Sequence, residues 1–326
     1  MGANTLRRSL VALFAAAISF GAITQAQAAS DNESVLRIGY QKYGTLVLLK
    51  SSGALEKRLA EQGFKVQWTE FPAGPQLLEG LNVGSIDFGT TGETPPVFAQ
   101  AAGADLFYVA FEPPAPLSEA ILLPKDSPIK TVAELKGKKV ALNKGSNVHY
   151  LLVRALEEAG LSITDITPVY LPPADARAAF ERGSVDAWVI WDPFQAAAEQ
   201  QLQARTLRDG QGLVSNHQFY LAARPFAEKH PEVVVALVDE IRKTGEWTRA
   251  NVDEVTAQVA PLLGLSPEIT RAAVERQSYG AQLITPEVAS AQQKIADTFS
   301  ELKLIPKRLS IAEVIWRQPA QVAQAQ

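Results

Sequence analysis

An α/β protein of two similar lobes with a cleft between them is what this sequence predicts, and three observations carry that expectation. Short apolar runs rich in β-branched residues alternate with amphipathic stretches, the pattern of layered α/β architecture. Shifting the 326-residue chain by 99 positions lays Gly84-Ser85-Ile86-Asp87 on Gly183-Ser184-Val185-Asp186 and Glu93 on Asp192. Between the two copies stands Glu112-Pro113-Pro114-Ala115-Pro116, a stiff polyproline-like crossing.

In the first copy a strand is expected at Val35–Gly39, a loop at Tyr40–Gly44, a helix from about Thr45 and a strand at Val66–Phe71. Gly74-Pro75 opens a helix, where the missing N–H of proline has no partner to lose, and Leu77, Leu78 and Leu81 share one face of it. Strands follow at Ile86–Gly89 and Tyr108–Phe111. The second copy runs through strands at Ala120–Leu123 and Val140–Leu142, a helix ending at Gly160, a strand at Ile166–Leu171, a helix at Ala174–Arg182 and a strand at Val185–Ile190. Phe219–Ala222 reads as the return crossing. From Pro225 onward the pattern is helical: Pro231 to about Asn251, Val252–Leu263, a start at Ser266-Pro267-Glu268, and Pro286–Leu302. The tail Pro319–Gln326, rich in Ala and Gln, is expected to lack structure.

The N-terminus reads as a cleaved secretory signal at residues 1–28: Arg7 and Arg8, an uncharged run Leu10–Ile23, and the small-x-small site Ala26-Gln27-Ala28. The remaining length suits two domains. The chain has no cysteine, which excludes disulfides, thiolate metal sites and a lipid-modified cysteine. The formal net charge of −4, with acids and bases interspersed, argues against a nucleic-acid or anionic-membrane partner. An anionic ligand must then be recognised locally.

The runs Leu36–Lys42, Glu70–Gln76, Gly84–Gly89, Thr91–Ala104, Lys144-Gly145-Ser146 and Val185–Pro193 resemble the aliphatic-sulfonate-binding proteins of ABC importers, in unbroken order from Leu36 to Trp316. Relatives in the wider group bind taurine, nitrate, bicarbonate or thiamine-precursor pyrimidines. The resemblance implies a type II periplasmic binding fold with a two-crossing hinge, one lobe at residues 29–114 plus 220–326 and the other at 115–219. It implies a monomeric, periplasmic binder that captures an alkanesulfonate and docks on a permease in the inner membrane, with no cofactor or metal. A taurine, nitrate or other small-anion binder is the alternative.

A sulfonate is ionised, tetrahedral and has three acceptor oxygens, so it calls for converging N–H and O–H donors, which helix N-termini supply. Three places offer them beside small residues. Gly74-Pro75-Gln76 is either a ligand contact or plain helix initiation. Thr90-Thr91-Gly92-Glu93 ends a strand, with Glu93 either capping the next helix or meeting a cation on the substrate. Lys144-Gly145-Ser146-Asn147 forms an anion nest, in which Lys144 is equally readable as a solvated charge. Gln41 is a further donor. Trp191 offers an apolar wall or fills the core, and Asp192 is a ligand contact or a helix cap. Trp188 is expected in the core, and His149 is structural or reaches the nest.

No catalytic constellation assembles. Three scattered histidines give no metal cage, and the Gly-x-Ser-x-Gly and Gly-x4-Gly-Lys-Ser/Thr signatures are absent. Nothing orients His149 beside Ser146 as a triad requires. An enzyme branch of the wider group uses a cysteine-bearing motif that this chain lacks.

Overall fold

The computed structural model describes residues 34–318; the signal-peptide and C-terminal-tail expectations lie outside these. Strand β1 (Ser34–Tyr40) is followed by α1 (Thr45–Ser52), α2 (Ala54–Ala60), β2 (Phe64–Glu70), α3 (Gly74–Asn82), β3 (Phe88–Gly92), α4 (Pro95–Ala101) and β4 (Leu106–Phe111). The second lobe holds β5 (Glu119–Leu123), β6 (Lys139–Leu142), α5 (Asn147–Glu158), β7 (Thr167–Tyr170), α6 (Pro173–Glu181), β8 (Ala187–Trp191), α7 (Phe194–Gln201) and β9 (Arg205–Asp209). The chain then returns through β10 (Gln218–Ala223) and continues as α8 (Arg224–Lys229), α9 (Pro231–Ala250), α10 (Val252–Leu263), α11 (Pro267–Arg276), β11 (Gln282–Leu283) and α12 (Pro286–Glu301).

Two sheets result, in the orders β11-β4-β10-β3-β1-β2 and β7-β6-β8-β5-β9. Without β11, the first order read from its far end matches the second strand for strand. The internal repeat is therefore architectural. Adding 99 to the bounds of α3 and β3 gives those of α6 and β8. Both helices end before a glycine with positive φ, 71° at Gly84 and 66° at Gly183, the left-handed C′ position that favours glycine.

The repeated aspartate has a physical task. The Asp87 carboxylate accepts the main-chain N–H of Arg37 at 2.8 Å, while the Asp87 N–H donates back to the Arg37 carbonyl at 2.7 Å. In the second lobe Asp186 clasps Lys139 at 2.8 Å in both directions. Each aspartate locks the register of the strand pair that begins beside it. Because that clasp occupies the turn, the strands expected at Ile86–Gly89 and Val185–Ile190 start later, at Phe88 and Ala187.

Each lobe has its own apolar core. In the second lobe it runs across both sheet faces and includes Trp188, at 1% exposure. The first lobe packs separate clusters around Leu36, Ile38 and Leu49 and around Leu77, Ile86 and Phe299. Two strands escape the sequence pattern. β9, Arg-Thr-Leu-Arg-Asp, lies at a sheet edge and is largely polar, and β11 has two residues.

The Asp87 clasp contains charge-assisted bonds to the Arg37 guanidinium as well. Asp87→Ala is expected to lower unfolding free energy by about 2 kcal/mol, read as a shift of the urea midpoint without change in far-ultraviolet circular dichroism.

Candidate functional site

The two crossings between the lobes run side by side. The N–H of Ala115 donates to Ser215 O at 3.0 Å, that of Glu112 to Gln218 O at 2.8 Å, and that of Gly210 to Pro116 O at 2.9 Å. Asn216, buried and at a φ of 49° that few non-glycine residues adopt, donates its amide to Ala115 O and to Ser118 Oγ, each at 2.9 Å. Its Oδ1 receives the side-chain amide of Asn147 from the start of α5. One side chain thus ties both crossings to the first turn of a second-lobe helix.

Above this junction lies a small cavity of about 20 Å³ lined from both lobes, with Gly74, Gly92 and Gln218 on one side and Ser118, Ser146, Asn147 and Trp191 on the other. The lobes meet closely there. A Cβ at Gly92 would overlap the Asn147 side chain, and one at Gly74 would come within 2.8 Å of Pro95 and 3.2 Å of Thr91. A side chain at either position would have to displace Asn147 or Pro95.

Helices α3 and α5 present their N-termini to this space. In α3 the Leu77 N–H reaches Ala73 O and Pro75 has no N–H, which leaves the first-turn amides of Gly74 and Gln76. In α5 the His149 N–H is bonded to Ser146 O, which leaves those of Asn147 and Val148. Helix α4 opens on Pro95-Pro96 and offers no such donors in its first two positions.

Of the residues singled out from sequence, Gln41, Gly74, Gly92, Ser146, Asn147 and Trp191 border the cavity. The others stand back from it, for identifiable reasons. The Thr90 hydroxyl donates to Phe219 O at 3.1 Å and that of Thr91 to Gly92 O at 3.0 Å, so both stitch the strand end. Gln76 holds a buried Oε1 with no partner among the described residues. Pro75, Lys144 and Gly145 line a separate groove beyond Pro95. There the exposed Lys144 ammonium sits 5.4 Å from the Tyr170 ring centre, which fits the solvated-charge reading.

The anion-nest expectation is corrected in part. The Ser146 hydroxyl and N–H both donate to Asn143 O, at 2.7 and 3.3 Å, and the Gly145 N–H donates to His149 Nδ1 at 3.3 Å. The free donors lie one residue further on. Gln41, though it faces the cavity, directs its amide to Tyr43 Oη and Thr90 O at 3.3 and 3.2 Å.

Glu93 is buried and caps nothing in α4; its Oε2 accepts the His217 N–H of the return crossing at 3.0 Å. Burial pushes its pKa up to about 7, opposed by the main-chain bonds from His217 and Asn216. Asp192 does cap, taking the Ala196 N–H at 3.0 Å, and burial likewise raises it to about 7 against the pull of Arg276. The Arg276 guanidinium, carried on α11 of the first lobe, reaches Glu199 at 2.5 Å and Asp192 at 3.4 Å, an ionic clasp across the lobes. His149 is buried among Phe98, Tyr170 and Phe299 and held neutral, its pKa lowered to about 4 by burial. Sequence reasoning missed Tyr43, Pro95, Ser118, Asn216, Gln218 and Gln277, all of which border the cavity.

A family model described as NMT1/THI5-like matches residues 59–255. The chain is 51% identical over 301 residues to the aliphatic sulfonates-binding protein of Escherichia coli, covering 92% of this chain and 93% of that one. This chain belongs to the NMT1/THI5-like family, in the group of the aliphatic-sulfonate-binding proteins. The crystal structure of the periplasmic aliphatic sulphonate binding protein SsuA from E. coli superposes with a TM-score of 0.80 at 50% identity, over 87% of this chain and 92% of that one. The alkanesulfonate-binding protein SsuA from Xanthomonas axonopodis pv. citri, bound to MOPS, gives 0.84 at 45% identity, over 87% and 98%. The taurine-binding periplasmic protein of E. coli is 28% identical over 74% of this chain and 78% of its own length. Type II periplasmic binding architecture follows from these matches and the two sheets.

Since the Asn147 amide fills the place of a Cβ at position 92, Gly92→Ala is expected to hold the lobes apart. Small-angle scattering should show a larger radius of gyration than for the unaltered protein, with circular dichroism unchanged.

Proposed function

We propose that this chain is the substrate-binding component of an ABC importer, that it captures alkanesulfonates and hands them to a membrane permease, and that it is a binder without catalytic activity. The observation that carries the reading is the convergence of two helix N-termini on a small cavity between lobes, with the Asn147 amide held beside them by Asn216. The names of the relatives support the ligand class. Residues 1–28 serve as an export signal, and the mature protein works as a periplasmic monomer. Lobe one comprises residues 29–114 and 220–326, and lobe two residues 115–219.

In this reading the sulfonate takes the amides of Gly74, Gln76, Asn147 and Val148, and its carbon chain lies on Trp191. Gln41, Thr90, Thr91, Gly145 and Ser146 shape the donors, Glu93 and Asp192 set the local field, and Pro75 and Lys144 line the neighbouring groove beyond Pro95. A dissociation constant of about 1 µM corresponds to about −8 kcal/mol. Four charge-assisted hydrogen bonds of about 1.5–3 kcal/mol each reach that range and offset the cost of association. Closure follows because only the closed form makes both sets of contacts.

Calorimetry of the purified mature protein against methane- to octanesulfonate, taurine, nitrate and sulfate tests this. Alkanesulfonates should bind, and Asn147→Ala should weaken them at least tenfold, about 1.4 kcal/mol. Trp191→Ala should weaken octanesulfonate more than methanesulfonate. Binding of nitrate or sulfate in preference to every sulfonate would overturn the reading.

A further inference from the structure

A second buried carboxyl stands next in sequence to a cavity-lining residue. Glu119 opens β5 and is 0% exposed, and neither of its carboxyl oxygens has a hydrogen-bond partner among the described residues. It follows Ser118, which lines the cavity. It is also the direct cross-strand partner of cavity-lining Trp191, and directly opposed residues of an antiparallel pair project from the same face of the sheet. Its carboxyl is therefore directed to the side on which the cavity lies, where it feels the charge of Glu93 and acts in turn on the phenol of Tyr43.

We propose that Glu119 meets the captured sulfonate as a neutral carboxyl that offers its O–H to a sulfonate oxygen, so that capture is coupled to protonation of the binding site. The inference rests on the alkanesulfonate reading and adds a specificity-determining residue to it. Of the two acids, Glu93 is the one equipped to hold a charge, because its Oε2 accepts main-chain N–H groups of the hinge. Glu119 has no such support. Burial and the neighbouring Glu93 both press its pKa well above the usual carboxylate range. An anion placed beside the pair adds to the same pressure.

Among the described residues the surrounding groups supply no counter-charge. Tyr43 comes from the loop before α1, and Tyr150 and His149 from α5, with His149 held neutral. Glu112 and His217 come from the hinge, and Asp192 from the turn after β8. Arg276 is engaged by Asp192 and by Glu199 of α7; Arg208 of β9 is engaged by Glu158 and Asp209.

A sulfonate does not titrate between pH 5 and 9, so any change of its affinity in that range reports a group on the protein. If the acid must carry its proton in the complex, rising pH depletes the binding-competent form. The dissociation constant of ethanesulfonate should then rise toward about tenfold per pH unit above the titration point. Titration calorimetry in buffers of different ionisation enthalpy should show proton uptake on the same limb. Glu119→Gln, which keeps a donor that does not titrate, should bind ethanesulfonate with a shallower pH profile than the unaltered protein, and Glu93→Gln should keep the steep one; an undiminished slope in Glu119→Gln overturns the proposal.

Taurine separates the opposite possibility. If Glu119 acts as a carboxylate for an ammonium group, taurine will bind more tightly than ethanesulfonate and lose that margin in Glu119→Gln. That result, or a flat profile in the unaltered protein, overturns the proposal. Failure of every sulfonate to bind at any pH would instead overturn the alkanesulfonate reading.

Discussion

Asn216 is the constraint on which the rest of the site depends. Its carboxamide is satisfied only when the two crossings lie together and α5 starts at the right place: it donates to one crossing twice and accepts from Asn147. Leaving a buried amide group unpaired costs about 1–3 kcal/mol. The spacing of the crossings, the position of the α5 N-terminus and the approach of the lobes are thus set by one interaction. This explains why a hinge built from loops holds a defined geometry, and why a polar residue in a left-handed conformation sits at its centre.

Burial of acids follows the same boundary. Glu93, Glu112, Glu119 and Asp192 are almost wholly enclosed, and all lie where the lobes join. Each is costly to ionise there, and Glu93, Glu112 and Asp192 are raised to about 7. The hinge acids meet polar partners: Glu112 accepts the hydroxyls of Tyr220 and Thr45 at 2.7 and 3.0 Å. The lobe cores are apolar, and the polar groups are concentrated where the molecule bends.

Much of this was legible in the chain. The Gly-Ser-hydrophobe-Asp repeat read correctly because it reflects a local need, a left-handed C′ glycine followed by a carboxylate that locks a strand. The glycines of the cleft were legible for the same kind of reason: small residues at strand and helix ends announce close approach. What remained hidden depends on contacts between distant segments. Tyr43 gives no periodic signal, yet its hydroxyl donates to Gln218 at 2.8 Å. Gln277 reaches the cavity from the loop after α11, far along the sequence. The hydroxyls of Thr90, Thr91 and Ser146 are correct types in plausible places, but each finds a nearer carbonyl, which residue type cannot foretell.

Because the lobes are copies, Gly92 and Trp191 occupy the same position in two versions of one strand, the last residue before the cleft. Their tolerance for change is opposite. A side chain at the first would displace the opposing Asn147 amide, while at the second a large ring already stands, buried against Phe194. A duplicated design has in this way placed the smallest residue and the largest at equivalent positions on the two jaws of one cleft.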